Sequence, residues 1–294
     1  MNGFTAPAGP SSALLSVAAP AKLNLFLAVT GRRPDGYHDL FSLFCPLSLA
    51  DQIDLRFDAP GIDLRCDHPQ VPNGPANLAW KAAERFFEAV DRRPGVQLIL
   101  HKRIPVAAGL GGGSSNAAAV LAALNGAFNR PLSEDRLHRI AAGIGADVPF
   151  FLVGGPALAM GVGDHLQPVT GLPHRWVILL TFPFAVPTGE VYKNLNLALT
   201  NCSKVTKSFT LTDGRMTEGF PRLCNDLETV TAACHPEIER AKAYLLDEGA
   251  ESALMSGSGP TVFGLFQNEA QAQRAREALS GVEDWAVLSA ELCV

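Results

Sequence analysis

Between residues 101 and 128 the chain reads HKRIPVAAGLGGGSSNAAAVLAALNGAF. The apolar, β-branched residues 96–100 before this stretch predict a strand, and the alanine-rich residues 116–125 within it predict a helix. Four of the five positions 109–113 are glycine, so consecutive backbone N–H groups can turn towards one object without obstruction by a Cβ atom. A glycine-rich loop that leads into a helix, with Ser114 and Ser115 as candidate caps, is typical of a phosphate-binding site.

Two common kinds of phosphate loop fit this stretch poorly. A Walker A loop requires a lysine directly after its last glycine, whereas Ser114 follows Gly113. A dinucleotide fingerprint requires glycines at the strand end and an acidic residue that ends the next strand about 20 residues later. Here Pro105 and further residues separate strand and glycines, and Glu134 and Asp135 stand at a predicted helix start. A flexible linker also fits poorly, because the strand and the helix frame the loop closely.

The composition is that of a globular protein. A length of 294 residues, with 47% hydrophobic and 18% charged residues, suits one large domain or, as we expect, two. A net charge of −5 gives no positive field for nucleic acid. No apolar run reaches the length of about 18 residues that a membrane span needs. Residues 1–16 predict a loose tail without the pattern of a signal peptide. We therefore expect a cytoplasmic monomer or homodimer with no nucleic-acid or membrane partner.

Cysteine spacing gives a further expectation. The six cysteines stand at positions 45, 66, 202, 224, 234 and 293, without a CxxC pair. This spacing predicts free thiols in a reducing compartment and no structural zinc site.

Polar residues near the start of the chain permit two interpretations. Residues 22–30 alternate polar and apolar as a strand does, so Lys22 and Asn24 share one face. Taken alone, the two residues are interpreted as surface residues of a half-exposed strand. The Pro-Asp-Gly turn that follows places Tyr37 and His38 on a loop. An aromatic ring beside a histidine can hold a flat ligand, although ordinary turn packing explains it too.

The rest of the chain predicts an α+β protein. Asn77 begins a helix with apolar residues at three- and four-residue steps, and Asp147 stands before Pro149, where it can cap a turn. Glycines and prolines accumulate before residue 166, so we predict an N-terminal domain over 17–165 and a C-terminal domain over 166–294. The second contains predicted strands at 176–180, 262–266 and 285–292, helices at 221–234 and 236–248, and a polar loop at 201–219.

Three stretches together resemble a known family. Residues 20–25 (PAKLNL), 105–118 and 255–260 (MSGSGP) resemble the three motifs of the GHMP small-molecule kinases. Within that superfamily, residues 35–38 (DGYH), 109–116 (GLGGGSSN) and 145–149 (GADVP) match members that phosphorylate a cytidyl diphosphate sugar alcohol in non-mevalonate isoprenoid biosynthesis. The resemblance runs from about residue 19 to 292. It implies a two-domain α+β GHMP-kinase fold with an N-terminal nucleotide and catalytic domain, a C-terminal ferredoxin-like domain and an active site in the cleft between them.

The resemblance also implies catalytic roles. Asp147 would be the general base, and Lys22 would keep that aspartate ionised and neutralise the oxygen under attack. Mg²⁺ would be held mainly through ATP phosphates and water, with Ser115 as a single candidate ligand and no dedicated metal-site residues. The ATP-binding residues implied by family position are Asn77, Leu78, Lys102, Pro105, Gly109, Leu110, Gly111, Gly112, Gly113, Ser114 and Ser115.

The cytidine end requires a flat apolar surface and fixed polar groups. By family position, His38 would read the base edge, Tyr37 would pack beside it, and Tyr192 would supply a stacking ring. Many relatives carry phenylalanine where Tyr192 stands. Asn24 would contact the sugar alcohol. The remaining substrate-binding residues implied are Thr188, Gly257, Ser258 and Gly259.

Alternatives from other classes remain at this point. Another GHMP kinase, or a relative that only binds a nucleotide, would keep the glycine loops but should lack Lys22, Asp147 or the pair of Tyr37 and His38. A dinucleotide-dependent oxidoreductase would require the acidic strand-end residue that this sequence lacks.

Overall fold

The structure, a computed structural model, describes residues 14–57, 59–93, 95–202, 211–217, 220 and 222–294. The strands are Leu15–Arg32 (β1), His38–Arg56 (β2), Gly61–Cys66 (β3), Gly95–His101 (β4), Ala157–Gly161 (β5), His165–Pro168 (β6), Trp176–Thr181 (β7), Leu211–Thr212 (β8), Arg215–Met216 (β9), Cys224–Asn225 (β10), Ser252–Met255 (β11), Val262–Phe266 (β12) and Ala286–Glu291 (β13). The helices are Leu78–Ala89 (α1), Gly112–Ala127 (α2), Glu134–Ile144 (α3), Phe150–Val153 (α4), Thr188–Asn194 (α5), Glu228–Cys234 (α6), Glu237–Asp247 (α7) and Glu269–Leu279 (α8), with a 3₁₀ turn at Leu197–Leu199.

The chain forms two compact units that interleave along the sequence. Unit 1 contains residues 1–19, 51–103 and 113–152, and unit 2 contains residues 20–50, 104–112 and 153–294. This division by compactness is of a different kind from the linear boundary expected after residue 165, which stays a prediction.

Unit 1 combines helices with strands β3 and β4 and the last residues of β2. Strand β4 pairs parallel with β3 and antiparallel with residues 52–56 of β2. Helix α1 begins where the Asn77 side chain accepts a hydrogen bond from Ala79 N, as predicted for an N-cap. Its apolar positions recur at three- and four-residue steps, which buries Phe86 and Phe87 in a core shared with Leu121 of α2.

Unit 2 has two cores. One lies on the four-stranded antiparallel sheet ordered β11-β12-β7-β13, where Ile238 of α7, Ala275 of α8 and Phe266 of β12 are buried together. The other surrounds the unit 2 part of β1, which pairs parallel with β10 at Phe26 and Leu27. Residues 40–44 of β2 pair antiparallel with β5, and β5 pairs with β6.

Some sequence-based boundaries are wrong. The helix predicted over 221–234 begins only at Glu228, because residues 224 and 225 form β10 against β1. Part of the predicted loop 201–219 is a hairpin of β8 and β9, in which Asp213 and Gly214 have positive φ; residues 203–210 and 218–219 of that loop lie outside the described residues. The predicted tail lies outside them as far as residue 13, and β1 begins at Leu15. In the part of the chain that is described, no helix is long and apolar enough to cross a membrane.

Candidate active site

Strand β1 carries two buried polar residues of unit 2. Lys22 is 4% exposed and Asn24 is 2% exposed, so their interpretation as surface residues is wrong. The Lys22 ammonium donates to Asn24 Oδ1 over 2.5 Å, and Asn24 Nδ2 donates to Ser42 Oγ over 2.9 Å. Ser42 Oγ donates in turn to Phe26 O over 2.6 Å. This series of hydrogen bonds fixes the orientation of the Asn24 amide, so that its oxygen faces the Lys22 ammonium. Sequence reasoning missed Ser42, whose only signal is a small polar residue in an apolar strand.

The unit 2 part of the glycine loop, residues 104–112, contacts both β1 and the loop 255–259. Lys22 N donates to Leu110 O over 3.0 Å, and Ser256 Oγ donates to Gly109 O over 3.3 Å. Gly109 has a φ of +75°, and a Cβ atom there would lie 2.6 Å from Ser256 O and 2.9 Å from Gly259 O. Glycine is therefore required at 109 for backbone packing, a reason different from the inward N–H groups expected from the sequence. Pro105 lies half-buried in the same segment.

The loop continues in unit 1 as the first turn of α2. The helix begins at Gly112, so Ser114 and Ser115 lie within the first turn, and their expected role as caps is wrong. Ser115 is 1% exposed, and its hydroxyl has no hydrogen-bond partner among the described residues. A buried hydroxyl without a partner, beside the N–H groups of a helix N-terminus, suits an anionic oxygen or one position around a cation.

Two expected adenine-pocket residues begin helix α1. Asn77 is buried, and its side chain accepts from Ala79 N and donates to Pro72 O, each over 2.9 Å. Leu78 lies beside the glycine loop, because a Cβ atom on Gly113 would be 3.7 Å from Leu78 Cδ1. The capping bonds occupy the Asn77 amide, whereas Leu78 presents an apolar side chain at the start of α2.

Lys102, the third expected adenine-pocket residue, belongs to a buried cluster that we call the Asp51 cluster: Asp51, Lys102 and Asn116. The Lys102 ammonium bonds Asp51 Oδ2, and the two side chains are 5% and 0% exposed. Asp51 also accepts from Asn116 Nδ2 over 2.9 Å and from Arg103 N over 2.8 Å. The ammonium is thus committed to a carboxylate, and a contact of Lys102 with adenine stays a prediction.

Asp147 lies in unit 1, in the turn between α3 and α4. The C-cap Gly145 ends α3, and Val148 N donates to Gly145 O over 3.1 Å, which forms the turn. The Asp147 side chain is half-buried, and its role as general base stays a prediction.

Several residues expected at the cytidine end lie together in unit 2. The His38 ring stacks on the Tyr192 ring of α5, with centroids 5.3 Å apart and planes 28° apart. Thr188 Oγ1 lies 2.8 Å from Ser258 Oγ, while Tyr37 is 67% exposed. Partial burial, and to a smaller extent the charge of Arg32, lowers the pKa of His38. A neutral imidazole stacked on a phenol ring provides both a flat face and a hydrogen-bonding edge.

The expectation of six free thiols is wrong. Cys202 and Cys224 form a disulfide with their Cα atoms 5.6 Å apart, while Cys45, Cys66, Cys234 and Cys293 are free. Asp226 lies near both sulfurs, but its carboxylate accepts N–H groups of Val29, Asn201 and Cys202. The spacing rule cannot detect such a pair, because the fold brings the two residues together across a separation of 22.

Comparison with known proteins gives consistent results over most of the chain. The family described as GHMP kinases N terminal domain matches residues 77–155, and GHMP kinases C terminal matches residues 214–282. A protein from Syntrophus aciditrophicus (strain SB) named 4-diphosphocytidyl-2-C-methyl-D-erythritol kinase is 43% identical over 93% of this chain and 98% of its own. One of the same name from Citrifermentans bemidjiense is 41% identical over 92% and 96%.

Solved structures extend the comparison to the fold. A crystal structure of 4-(cytidine 5'-diphospho)-2C-methyl-D-erythritol kinase matches with a TM-score of 0.79 and 35% identity, and covers 95% of this chain and 99% of that one. Homoserine kinase from Cytophaga hutchinsonii matches with a TM-score of 0.66 at 17% identity, covering 100% and 96%. At that identity the likeness concerns the fold alone.

Proposed function

Since the chain belongs to the 4-diphosphocytidyl-2-C-methyl-D-erythritol kinase family of the GHMP kinases, we propose that it phosphorylates the 2-hydroxyl of 4-diphosphocytidyl-2-C-methyl-D-erythritol. The protein is an ATP-dependent phosphotransferase of isoprenoid biosynthesis with a small-molecule substrate and the α+β GHMP-kinase fold. Membership in this family confirms the resemblance drawn from the three motifs and removes the oxidoreductase alternative. The observation that carries the proposal is that residues of all three motifs contact one another around Lys22 in unit 2.

The residues at the start of α2 fit the phosphates of ATP. The first turn of α2 directs N–H groups away from the helix, and the Ser115 hydroxyl has no partner among the described residues. When bound, ATP would supply the phosphoryl group, and its phosphates and water would supply most of the ligands for Mg²⁺. The Ser115 hydroxyl is proposed to add one ligand. A single oxygen cannot hold Mg²⁺ alone, so the other ligands must come from ATP and water.

Lys22 and Asp147 are proposed to act on the reacting hydroxyl. The Lys22 ammonium is buried and oriented by Asn24, so it neutralises charge where water is largely excluded and needs little reorganisation. Asp147 accepts the proton of the substrate hydroxyl, because that hydroxyl becomes acidic late in a loose transition state. Holding both groups in place supplies the orientation on which phosphoryl transfer depends.

The cytidine base is proposed to bind at His38 and Tyr192. Their stacked rings give a flat surface, and the neutral imidazole offers one donor and one acceptor to the base edge. Exposed Tyr37 packs beside the base, and Thr188 and Ser258 offer hydroxyls to the remainder of the substrate. Asn24 contacts the sugar alcohol.

An ADP-release assay tests the proposed substrate. We expect turnover with 4-diphosphocytidyl-2-C-methyl-D-erythritol and at least a thousandfold lower kcat/KM with homoserine or mevalonate. Phosphorus NMR of the product should show a new monoester at the 2-position. Comparable efficiency with homoserine or mevalonate would contradict the proposal.

Replacement of the proposed base tests the mechanism. Asp147→Asn should lower kcat by at least a hundredfold, while Asp135→Asn, a change of an exposed carboxylate on α3, should leave it unaltered. Undiminished turnover in Asp147→Asn would rule out the role of Asp147. A cytoplasmic location and a monomeric or dimeric state remain predictions that chromatography and fractionation can test.

A further inference from the structure

The loop 255–259 is held from one side by two buried polar residues. Asn225 of β10 donates both hydrogens of its amide, to Met255 O over 2.8 Å and to Gly257 O over 2.7 Å. Its own oxygen accepts from Leu227 N over 3.0 Å, which fixes the orientation of the amide. Asn225 is 5% exposed, so water cannot replace these bonds at low cost.

A second attachment comes from α6. Thr231 is 2% exposed, and its hydroxyl donates to Ser258 O over 3.0 Å. Together, Asn225 and Thr231 bind three carbonyl groups within four consecutive residues of the loop.

Asn225 is itself fixed to the strand that carries Lys22. Strand β10 pairs with β1, with Asn225 opposite Leu27. Asp226 extends this attachment, because its N–H donates to Leu27 O over 3.0 Å and its carboxylate accepts from Val29 N over 2.9 Å. The position of Asn225 is therefore set relative to β1.

The same loop also lies beside the Lys22 ammonium. Gly257 has a φ of +59°, and a Cβ atom on it would lie 3.4 Å from Asn24 Oδ1 and 3.5 Å from Lys22 Nζ. Successive contacts therefore connect β1 to β10, β10 to the loop 255–259, and the loop back to Lys22 of β1. A shift of the Gly257 backbone changes the space in which the ammonium is held.

We propose that Asn225 and Thr231 are positioning residues for the phosphoryl transfer. They hold the carbonyls of the loop 255–259, and the loop in turn fixes the Lys22 ammonium. This inference rests on the proposed role of Lys22. A misplacement of about 1 Å at a reacting group can cost about a hundredfold in rate, so the effect should appear in kcat.

A matched pair of variants tests the role of Asn225. Asn225→Asp keeps the shape but places a carboxylate oxygen against backbone carbonyls. Its control is Asn125→Asp in unit 1, where a buried asparagine likewise bonds Leu132 N and O, each over 3.0 Å. We expect both variants to lose stability. The concentration of folded enzyme is taken from the number of ATP-binding sites that calorimetry counts. On that basis only Asn225→Asp should lower kcat at least tenfold, with KM changed less than threefold.

A second pair tests the same loop without changing β10. Thr231→Val removes only the hydroxyl and should lower kcat three- to tenfold. Its control, Thr181→Val, removes a buried hydroxyl that donates to Ala286 O in the sheet, and should leave kcat within twofold. If Asn225→Asp does not fold, this pair decides the matter: an unchanged kcat in Thr231→Val would overturn the inference.

Hydrogen exchange gives a readout that needs no substrate. Within the loop, Ser256 N donates to Thr261 O and Gly259 N donates to Ser256 O, each over 2.9 Å. Exchange in the peptide covering 255–261 should be at least tenfold faster in Asn225→Asp and unchanged in Asn125→Asp. An absence of kinase activity in the wild-type protein would contradict the proposed function. In an active wild type, unchanged exchange, or equal kcat in both asparagine variants, would overturn the inference alone.

Discussion

Each compact unit contains a cluster of buried polar groups around a lysine, and the two clusters are built differently. In the Asp51 cluster of unit 1, side chains bond side chains, and the Lys102 ammonium meets a fully buried carboxylate. Around Lys22 in unit 2, glycine backbone approaches the ammonium directly, and the Cβ position of Gly257 is 3.5 Å from it.

The two lysines differ in what surrounds their ammonium groups. Burial alone does not separate them, because both are almost fully covered. What separates them is the neighbouring group, because the Lys22 ammonium lies beside glycine backbone whereas the Lys102 ammonium bonds a carboxylate.

Lys102→Met should destabilise unit 1 without impairing chemistry. Removal of the ammonium takes one positive charge away from the buried Asp51 carboxylate, and breaking such a pair typically costs about 3–5 kcal/mol. Urea unfolding measures the loss, and Lys81→Met, a change of an exposed lysine on α1, is the control. A large fall in kcat with unchanged stability would show instead that Lys102 takes part in the active site.

Lys22→Met should have the opposite signature. We expect kcat to fall by about a hundred- to a thousandfold, the usual effect of removing one preorganised electrostatic group, with KM for ATP within threefold. Steady-state kinetics of Lys22→Met and Lys102→Met, measured side by side at a temperature where both are folded, decide the result. Equal kcat values in the two variants would contradict the distinction.

Loss of the disulfide should weaken the surroundings of β10. Cys202→Ser with Cys224→Ser opens a loop with a sequence separation of 22, which should lower the free energy of unfolding by about 3 kcal/mol. Thiol titration in denaturant is the direct check, with four thiols before reduction and six after it. Six thiols before reduction would show that the pair is not formed.

Gly109→Ala should destabilise unit 2, while Gly126→Ala should stabilise α2. At 109 a Cβ atom would collide with Ser256 O, and the φ of +75° is strained for alanine, so a loss above about 1–2 kcal/mol follows. Gly126 lies in a helix with open space around it, and alanine there should add about 0.5–1 kcal/mol. Thermal unfolding compares the two, and equal shifts would refute the packing argument.

The pH dependence of substrate binding should show the smallest effect. Partial burial lowers the pKa of His38 below its ordinary value of 6.5, so the imidazole stays neutral until the pH falls below that value. KM for the cytidyl substrate should stay constant from pH 8 to pH 6.5 and rise a few-fold below it. An increase in KM that begins above pH 6.5 in the wild type, and that is absent in His38→Gln, would contradict a lowered pKa of His38.

Much of the local structure was predictable because local chemistry determines it. Asn77, predicted to begin a helix, accepts a backbone N–H of that helix as its N-cap, and hydrophobic spacing predicted β7 and β12. The three motifs also predicted residues that meet in unit 2.

What could not be predicted depends on contacts between distant segments. Residues 224 and 225 form a strand because β1 offers pairing partners nearly 200 residues earlier, and Asn225 gains its importance from carbonyls of another loop. Lys22 and Asn24 alternate with apolar residues, as on a surface, yet both are buried. Local pattern cannot report which face of a strand another segment covers.

The interleaved path of the chain has a consequence for synthesis on the ribosome. The core of unit 1 draws on residues from Ala19 to Val148, so it can form once that stretch has emerged. The core around β1 in unit 2 joins Ala21 to Leu292, and β1 must wait for the last of its partners. At about 5–20 residues per second, this wait lasts roughly 7–30 s after unit 1 is complete. During that interval the part of β1 in unit 2 lacks the core contacts that later residues such as Phe263 and Leu292 supply, so we expect it to be a target for chaperones that bind extended apolar segments.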